Sequence, residues 1–146
     1  GFKFAEYEMI GIPVRLGLGM RDLAAGQVEV ARRDTKEKTN VPLEAIGSYV
    51  ADLLDEIQQN LFNRAKTYRD EHITKVDSWD ELTDVLENKG GFAFAHWDGT
   101  TETELEIKEK TKATIRCIPL DSPEENGACI LTGKPSRRRV LFAKAY

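Results

Sequence analysis

The chain has 146 residues and a mass of 16.5 kDa, which suits one ordinary domain or two small ones. With 40% apolar and 32% charged residues it can bury a core, which excludes a disordered acidic tail. The net charge of −4 excludes a broadly basic nucleic-acid-binding body, so any contact with nucleic acid would depend on a few placed side chains.

The first forty residues alternate between helical and strand-like patterns. Apolar residues at i, i+3 and i+7 predict an opening helix that Gly11 ends. Period-two alternation predicts strands over 14–18 and 27–33, with a turn at 20–22 after the first of them. The polar run at 34–40 is typical of a hairpin turn. We therefore expect a short helix followed by a small sheet.

The long helix predicted after Pro42 is the clearest element of the sequence. Apolar residues recur at steps of three and four from Leu43 to about His72, and Pro42 suits the first helical position. Gly47 lies inside this pattern and could interrupt it. An apolar stripe of about seven turns needs more sheet than the predicted strands provide, so we expect a segment before Gly1 to supply the missing strands.

A different pattern begins near residues 70–76, where we place a domain boundary between 72 and 73. Two short helices are predicted after it, over 77–88 and 102–111. The predicted strands of this second part cover 92–97, 113–119, 128–131 and 139–146. The expected fold class is α/β (α+β), with two α/β pieces of which the first is incomplete.

The sequence carries no recognisable catalytic motif. His72 and His96 stand apart from any Ser, Cys or Asp at the spacing of a triad, and no Walker A, GxGxxG or HExxH motif is present. His96 ends an apolar strand, which favours a packed histidine over a base or a metal ligand. The pair Gly90–Gly91 lies between a helix and a strand and is typical of a helix-ending turn. No catalytic residue is therefore predicted.

Two loops have the spacing of a zinc knuckle, C-x₄-C and C-x₂-C, with most of the ligands replaced. The four positions are Asp98, Thr103, Cys129 and Thr132. Zinc requires four thiolate, imidazole or carboxylate donors, and one thiol, one carboxylate and two neutral hydroxyls do not supply them. We therefore expect zinc to be absent from these positions.

Three charged residues near the start of the chain have the chemistry to read bases. Glu8 lies late in the first helix, Arg15 in the next strand and Arg21 in the turn after it. A carboxylate accepts from N1–H and N2–H₂ of an unstacked guanine, and Arg can pair with its O6 and N7 in a two-pronged contact. The alternative interpretation is three solvated surface charges. The basic run SRRR at 136–139 likewise fits either a solvated turn or a phosphate contact.

Five segments of the sequence resemble one known family: KFAEYEMIGIPVRLGLGMRDL, ARRDTKEK, EIQQNLFNRAKTYRDEH, TIRCIPLD and RVLFAKAY. They are similar to the C-terminal region of prolyl-tRNA synthetase, of the archaeal/eukaryotic type that carries an extra domain after its anticodon-binding domain. The resemblance covers essentially the whole chain. It implies that 1–72 form the second half of a class II anticodon-binding domain, a mixed sheet with flanking helices and a long connecting helix. It implies that 73–146 form a small C-terminal α/β domain of the zinc type.

The resemblance also implies roles for individual residues. The residues that read the anticodon in the family align with Glu8, Arg15 and Arg21, which fits the two guanines that end proline anticodons. Three of the family's four zinc cysteines are replaced here, so the metal is expected to be lost and the fold to persist without it. The terminal Tyr146 also matches the family.

The function that the resemblance implies is the attachment of proline to tRNA(Pro), with ATP and Mg²⁺ used in a catalytic domain outside this chain. The chain itself is expected to bind the anticodon and to support that catalytic domain, through which the enzyme is expected to form a homodimer. The low cysteine content and the absence of an 18-residue apolar run favour the cytoplasm and no membrane span. The alternative function is a free-standing protein-interaction module with no tRNA role, and a small zinc-dependent enzyme is the third hypothesis.

Overall fold

The structure, a computed structural model, describes residues 2–145. It divides into an N-terminal unit that ends at Thr67 and a C-terminal unit that begins at Tyr68. This division falls inside the long helix, a few residues before the predicted boundary. The terminal Tyr146, whose match to the family was noted above, lies outside the described residues. No helix in the described range combines the length and the apolar character needed to cross a membrane.

The N-terminal unit combines helices with a small antiparallel sheet. Its helices are α1 (Phe2–Met9), α2 (Met20–Ala24) and α3 (Ile46–Glu71), the last of which follows a 3₁₀ turn at Leu43–Ala45 and continues into the second unit. Its strands are β1 (Val14–Gly17), β2 (Gln27–Arg32) and β3 (Lys38–Pro42). The strands pair in the order β1-β2-β3, so the middle strand is β2.

The core of the N-terminal unit lies between this sheet and α3. Val28 and Val30 share one face of β2 because side chains alternate along a strand, and Val28 is paired with Val41 of β3. Leu53 and Ile57 are four residues apart on α3 and therefore lie on the same helix face. All five side chains are buried in one cluster. The predicted strand over 27–33 and the long helix are thus confirmed.

Three details of the N-terminal prediction are wrong: the extent of the turn at 34–40, the place of Pro42 and the turn at 20–22. The second half of the predicted turn at 34–40 belongs to β3, and Pro42 ends that strand instead of beginning the helix. The predicted turn at 20–22 is the short helix α2. Gly47 lies in the first turn of α3 and does not interrupt the helix, as the prediction of one continuous helix implied.

The C-terminal unit is a mixed sheet with helices and a small hairpin. Its helices are α4 (Trp79–Asp84), which runs into a π-helical turn at Val85–Lys89, and α5 (Thr101–Thr111). Its strands are β4 (Ile73–Lys75), β5 (Phe92–His96), β6 (Ala113–Cys117), β7 (Gly127–Ala128), β8 (Pro135–Ser136) and β9 (Arg139–Lys144). The sheet order is β4-β5-β9-β6, with β4 and β5 parallel and the other pairs antiparallel, while β7 and β8 pair separately.

The core of the C-terminal unit is centred on β9. Val140 and Phe142 of this strand are fully buried, together with Leu82 of α4 and Ile107 of α5. Burying side chains of this size contributes about 1.5–3 kcal/mol each, so this cluster contributes substantially to the stability of the unit. The mixed α/β fold class expected from the sequence is confirmed.

A buried arginine connects the sheet to the loop before β7. Arg139 is 3% exposed, and its Nη1 donates to the backbone carbonyl of Val76 at 2.8 Å. Its Nε donates to Glu125 Oε2 at 3.1 Å, and its Nη2 forms an ion pair with Asp77. Hydrogen bonds from Arg139 and Lys75 lower the pKa of Glu125 to about 2. The loop that carries Glu125 is therefore held by charge against the sheet.

Two predictions in the C-terminal unit are corrected and one is confirmed. The predicted strand at 128–131 is a two-residue strand, β7, followed by a turn, and the three residues of β4 were not predicted as a strand. His96 is buried, and its Nδ1 lies 3.0 Å from the hydroxyl of Ser136. The packed histidine predicted from the sequence is thus confirmed.

Candidate nucleic-acid interface

Glu8 lies near the end of α1, where two cations hold its carboxylate. Lys36 Nζ donates to Oε2 at 2.8 Å, and Arg15 Nη1 lies 3.5 Å from Oε1. The hydrogen bond from Lys36 lowers the pKa of Glu8, and the charges of Arg15 and Arg33 act in the same direction. The side chain is therefore an anion at neutral pH, with both oxygens able to accept hydrogen bonds from guanine N–H groups.

Arg15 extends from β1 and is ordered by two residues of α1. Its guanidinium lies 3.9 Å from the centre of the Phe4 ring, within the range of a cation–π contact. Phe4 and Glu8 are four residues apart on the helix and therefore share one face, so the ring lies against the guanidinium while the carboxylate lies beside it. The Arg15 side chain keeps 24% of its exposure and is open to a ligand.

Arg21 is exposed on α2 and does not take part in the contact of Arg15 with Phe4 and Glu8. Within residues 2–145 its side chain forms no hydrogen bond or ion pair, with Glu8, Arg15 or any other residue. The structure thus brings together two of the three predicted base-reading residues. The anticodon-reading role of all three stays a prediction.

Two residues at this site were missed by the sequence reasoning. Lys36 lies in the turn between β2 and β3, 28 positions from Glu8, and no local pattern connects them. Phe4 could have been found, because its i, i+4 relation to Glu8 was visible in the predicted helix. The predicted apolar face at i, i+3 and i+7 did not include Phe4, so its ring was given no role.

The basic run 136–139 divides into structural and exposed residues. Ser136 and Arg139 are buried, the first beside His96 and the second in the ion-pair network described above. Arg137 and Arg138 are exposed. The interpretation of the run as a solvated turn is therefore wrong for Ser136 and Arg139.

The loops with zinc-knuckle spacing are joined by hydrogen bonds to one carboxylate. Asp98 Oδ2 accepts from the hydroxyls of Thr103 at 2.9 Å and Thr132 at 3.0 Å. Its Oδ1 accepts from the hydroxyl of Thr100 at 2.9 Å and from the Thr100 backbone N–H at 3.2 Å. Burial alone would raise the pKa of Asp98, but these hydrogen bonds outweigh it and lower the pKa below its ordinary value.

These residues do not fit a zinc ion. Each of the two carboxylate oxygens of Asp98 already accepts two hydrogen bonds. The other three positions offer two neutral hydroxyls and the buried thiol of Cys129, which are too few donors for zinc. Across the described part of the chain, no three His, Cys, Asp or Glu side chains are grouped as a metal site requires. The loss of zinc stays a prediction that this donor set supports.

Two family models match successive parts of the chain. Residues 1–53 match the anticodon binding domain, and residues 79–146 match the domain described as prolyl-tRNA synthetase, C-terminal. The first match contains Glu8, Arg15 and Arg21, and the second contains the Asp98 cluster.

Whole-chain similarity extends to proteins named proline–tRNA ligase. Those of Flavobacterium johnsoniae and Christiangramia forsetii are 59% and 57% identical over 146 residues, and that of Phocaeicola vulgatus is 58% identical over 149 aligned positions. Each alignment includes 100% of this chain and 30% of the relative, so the chain spans less than a third of their length. These relatives are bacterial, and the archaeal/eukaryotic type expected from the sequence is not borne out. The two domain matches in this order, together with similarity along the whole chain, make the chain similar to the C-terminal region of prolyl-tRNA synthetases.

Proposed function

We propose that this chain is the tRNA-recognising C-terminal part of a proline–tRNA ligase, an ATP-dependent enzyme that attaches proline to tRNA(Pro). Its N-terminal unit binds the anticodon through Glu8, Arg15 and Arg21. Its C-terminal unit supports the catalytic domain of the same protein. The chain contributes no catalytic residue, and ATP and Mg²⁺ act in that catalytic domain.

The observation that carries this proposal is the contact of Arg15 with Phe4 and Glu8. A guanidinium on an aromatic face, 3.5 Å from a carboxylate, offers donors for guanine O6 and N7 beside acceptors for N1–H and N2–H₂. These complementary groups lie on adjacent elements, α1 and β1, within the segment that matches the anticodon binding domain. The arrangement supports recognition of unstacked guanines.

Exposed apolar side chains support a partnership with another part of the same enzyme. Phe2, Met9 and Met20 are 83%, 87% and 83% exposed, and further large apolar side chains of α1, β1 and α2 are also open. Apolar exposure of this extent is typical of a surface that another segment covers. We assign that role to the remainder of the ligase, since the relatives are about three times longer than this chain. The proposal includes a homodimer formed by the catalytic domain and a cytoplasmic location.

The test is the substitution Arg15→Ala in the ligase that carries this chain. We expect kcat/KM for charging of tRNA(Pro) to fall roughly 5- to 150-fold, which corresponds to a loss of about 1–3 kcal/mol of transition-state stabilisation, because one two-pronged guanine contact is lost. Arg15→Lys keeps the charge but not the planar fork, so it is expected to lose most of the same amount.

The control is Arg69→Ala, which removes an exposed arginine that pairs with Asp70 on α3. Its charging efficiency is expected to match that of the wild type. Prolyl-adenylate formation, followed by ATP–pyrophosphate exchange, should be unchanged in all three variants, which separates anticodon reading from damage to the catalytic domain. Unchanged charging by Arg15→Ala would remove Arg15 from the recognition site.

A further inference from the structure

A cleft of about 340 Å³ lies in the N-terminal unit, next to the contact of Glu8 with Arg15. Ile57 and Leu61 of α3 form its apolar side. The other residues that line it are charged and come from α1, from the segment between β2 and β3, and from α3. We call it the α1–α3 cleft, lined by Glu8, Arg33, Asp34, Lys36, Ile57, Leu61 and Arg64.

The two acidic residues of the α1–α3 cleft already have partners. The Asp34 side chain is 2% exposed and accepts from Nε and Nη2 of Arg32, both at 2.8 Å, and from Nδ2 of Asn60 at 2.6 Å. These hydrogen bonds, with that from Arg32 the largest cause, hold the pKa of Asp34 far below its ordinary value. Glu8 has the two cations described above. Each carboxylate is thus already paired with at least one cation, and the charge of Arg33 acts on Glu8 without an ion pair.

Two arginines of the α1–α3 cleft lack such partners. The guanidinium groups of Arg33 and Arg64 form no hydrogen bond or ion pair with any residue between 2 and 145. Arg33 is half-buried, and its backbone N–H donates to the carbonyl of Pro13 at 2.9 Å, which fixes the start of its side chain. Arg64 is exposed on α3 and borders the same space. In a chain of net charge −4, this cleft is a local concentration of unbalanced positive charge.

We propose that Arg33 and Arg64 bind two phosphate groups of the RNA strand whose bases lie against Glu8 and Arg15. The inference rests on the proposed function, because it takes the same RNA loop as ligand. Phosphate contacts fix the register of a strand, while base contacts specify its sequence. Arginine suits phosphate because its planar fork can donate two parallel hydrogen bonds. The α1–α3 cleft thus positions the loop, and the neighbouring contact reads it.

The experiment measures binding of the ligase that carries this chain to two anticodon stem-loops at salt concentrations from about 50 to 200 mM. One stem-loop has the proline anticodon, and in the other its two guanines are replaced by adenines. For Arg33→Ala/Arg64→Ala, we expect the slope of log K against log salt to become shallower by about 1.4, because each single-strand phosphate contact contributes about 0.7. Affinity should fall by the same factor for both stem-loops, so the preference for guanine is kept.

Three further measurements complete this experiment. Arg69→Ala is the matched control, since Arg69 is an arginine on the same helix outside the α1–α3 cleft, and its slope should equal that of the wild type. Arg64→Ala alone changes only an exposed helix position and should reduce the slope by about 0.7 even if the double variant does not fold. The charge-preserving variant Arg33→Lys/Arg64→Lys should keep the wild-type slope.

The outcomes separate this inference from the proposed function. An unchanged slope in the alanine variants, or a loss of guanine preference without a change of slope, overturns the phosphate role while the wild type still prefers guanine. A wild-type ligase with no preference between the two stem-loops overturns the proposed anticodon reading instead.

Discussion

The hydroxyl of Thr132 donates a hydrogen bond of 3.0 Å to the carboxylate of Asp98, across 34 positions of sequence. The same carboxylate oxygen accepts from Thr103 at the start of α5. One side chain therefore connects the loop after β5, the first turn of α5 and the turn after β7. In a zinc knuckle of this spacing, the metal would make those connections.

Removing this carboxylate should destabilise the C-terminal unit. We expect Asp98→Ala to lower the free energy of unfolding by about 2–3 kcal/mol, because hydrogen bonds to a charged group contribute about 1.5–3 kcal/mol and three hydroxyls lose their acceptor. Asp98→Asn keeps the shape and one oxygen, so it should lose about half as much. Urea unfolding followed by tryptophan fluorescence measures this, because both tryptophans, Trp79 and Trp97, belong to this unit.

The control for this series is Glu109→Ala, which removes an exposed carboxylate of α5 and should leave the urea midpoint unchanged. Addition of zinc to the wild type should also leave the midpoint unchanged, because an ion bound only by the folded chain would raise it. A midpoint of Asp98→Ala equal to that of the wild type would show that the hydrogen bonds do not hold the loops together.

The second prediction concerns acid and Glu125. The ordinary pKa of this carboxyl is 4.5, and in the folded chain it is about 2 because Arg139 and Lys75 donate to it. A folded-state pKa below the unfolded value means that the stabilisation is complete above about pH 4.5 and is lost as the pH falls toward 2. Glu125→Gln lacks this stabilisation at every pH. The difference in urea midpoint between the wild type and Glu125→Gln should therefore narrow as the pH is lowered from about 5 to about 2.

Glu124→Gln is the matched control, since Glu124 is the neighbouring carboxyl and has no hydrogen bond or ion pair in the described range. Its difference from the wild type should be small and should not follow the acid dependence of Glu125→Gln. If the difference in urea midpoint between the wild type and Glu125→Gln stayed constant across this pH range, the ion pair of Arg139 with ionised Glu125 would not stabilise the fold.

The third prediction concerns the close approach of Gly127 to His96. A Cβ atom at position 127 would overlap Nε2 of the His96 imidazole, and the ring is buried beside Ser136 and has little room to move. We expect Gly127→Ala to destabilise the C-terminal unit by about 1–3 kcal/mol through overpacking, as measured by tryptophan fluorescence in urea. Gly47→Ala is the opposite case, because no atom lies within 4 Å of the added methyl. It should stabilise α3 by about 0.5 kcal/mol, as measured by circular dichroism. Equal stability of Gly127→Ala and the wild type would contradict the close approach.

Periodicity predicted the elements that have one buried face. The strand β2 and the helix α3 were found because Val28, Val30, Leu53 and Ile57 repeat at strand and helix spacing. The strand β3 was missed because four of its five residues are exposed and polar or proline, so that no alternation marks it. The turn after β7 was assigned to a strand because it is apolar, although a turn can also bury apolar side chains such as Ile130.

The candidate site was predicted as residue types and not as contacts. The chemistry of Glu8 and Arg15 was visible in the sequence, and their proximity follows from α1 and β1 being adjacent in the chain. The ion pair of Glu8 with Lys36 depends on how the turn between β2 and β3 folds back, which no local spacing encodes. The substituted zinc positions were found from spacing, but the role of Thr100 as a third hydroxyl partner of Asp98 emerged only from the fold.

The contact of Arg15 with Phe4 and Glu8 affects the side-chain entropy that is lost on binding. Immobilising a long side chain when a complex forms costs about 0.5–1.5 kcal/mol, and an arginine in open solvent bears that cost at the moment of association. Here the ring and the carboxylate already restrict the rotamers of the guanidinium in the unliganded chain. Pre-organisation of this kind leaves more of the contact energy to appear as affinity, so the base recognition proposed for this site needs only a small patch on a chain of net charge −4.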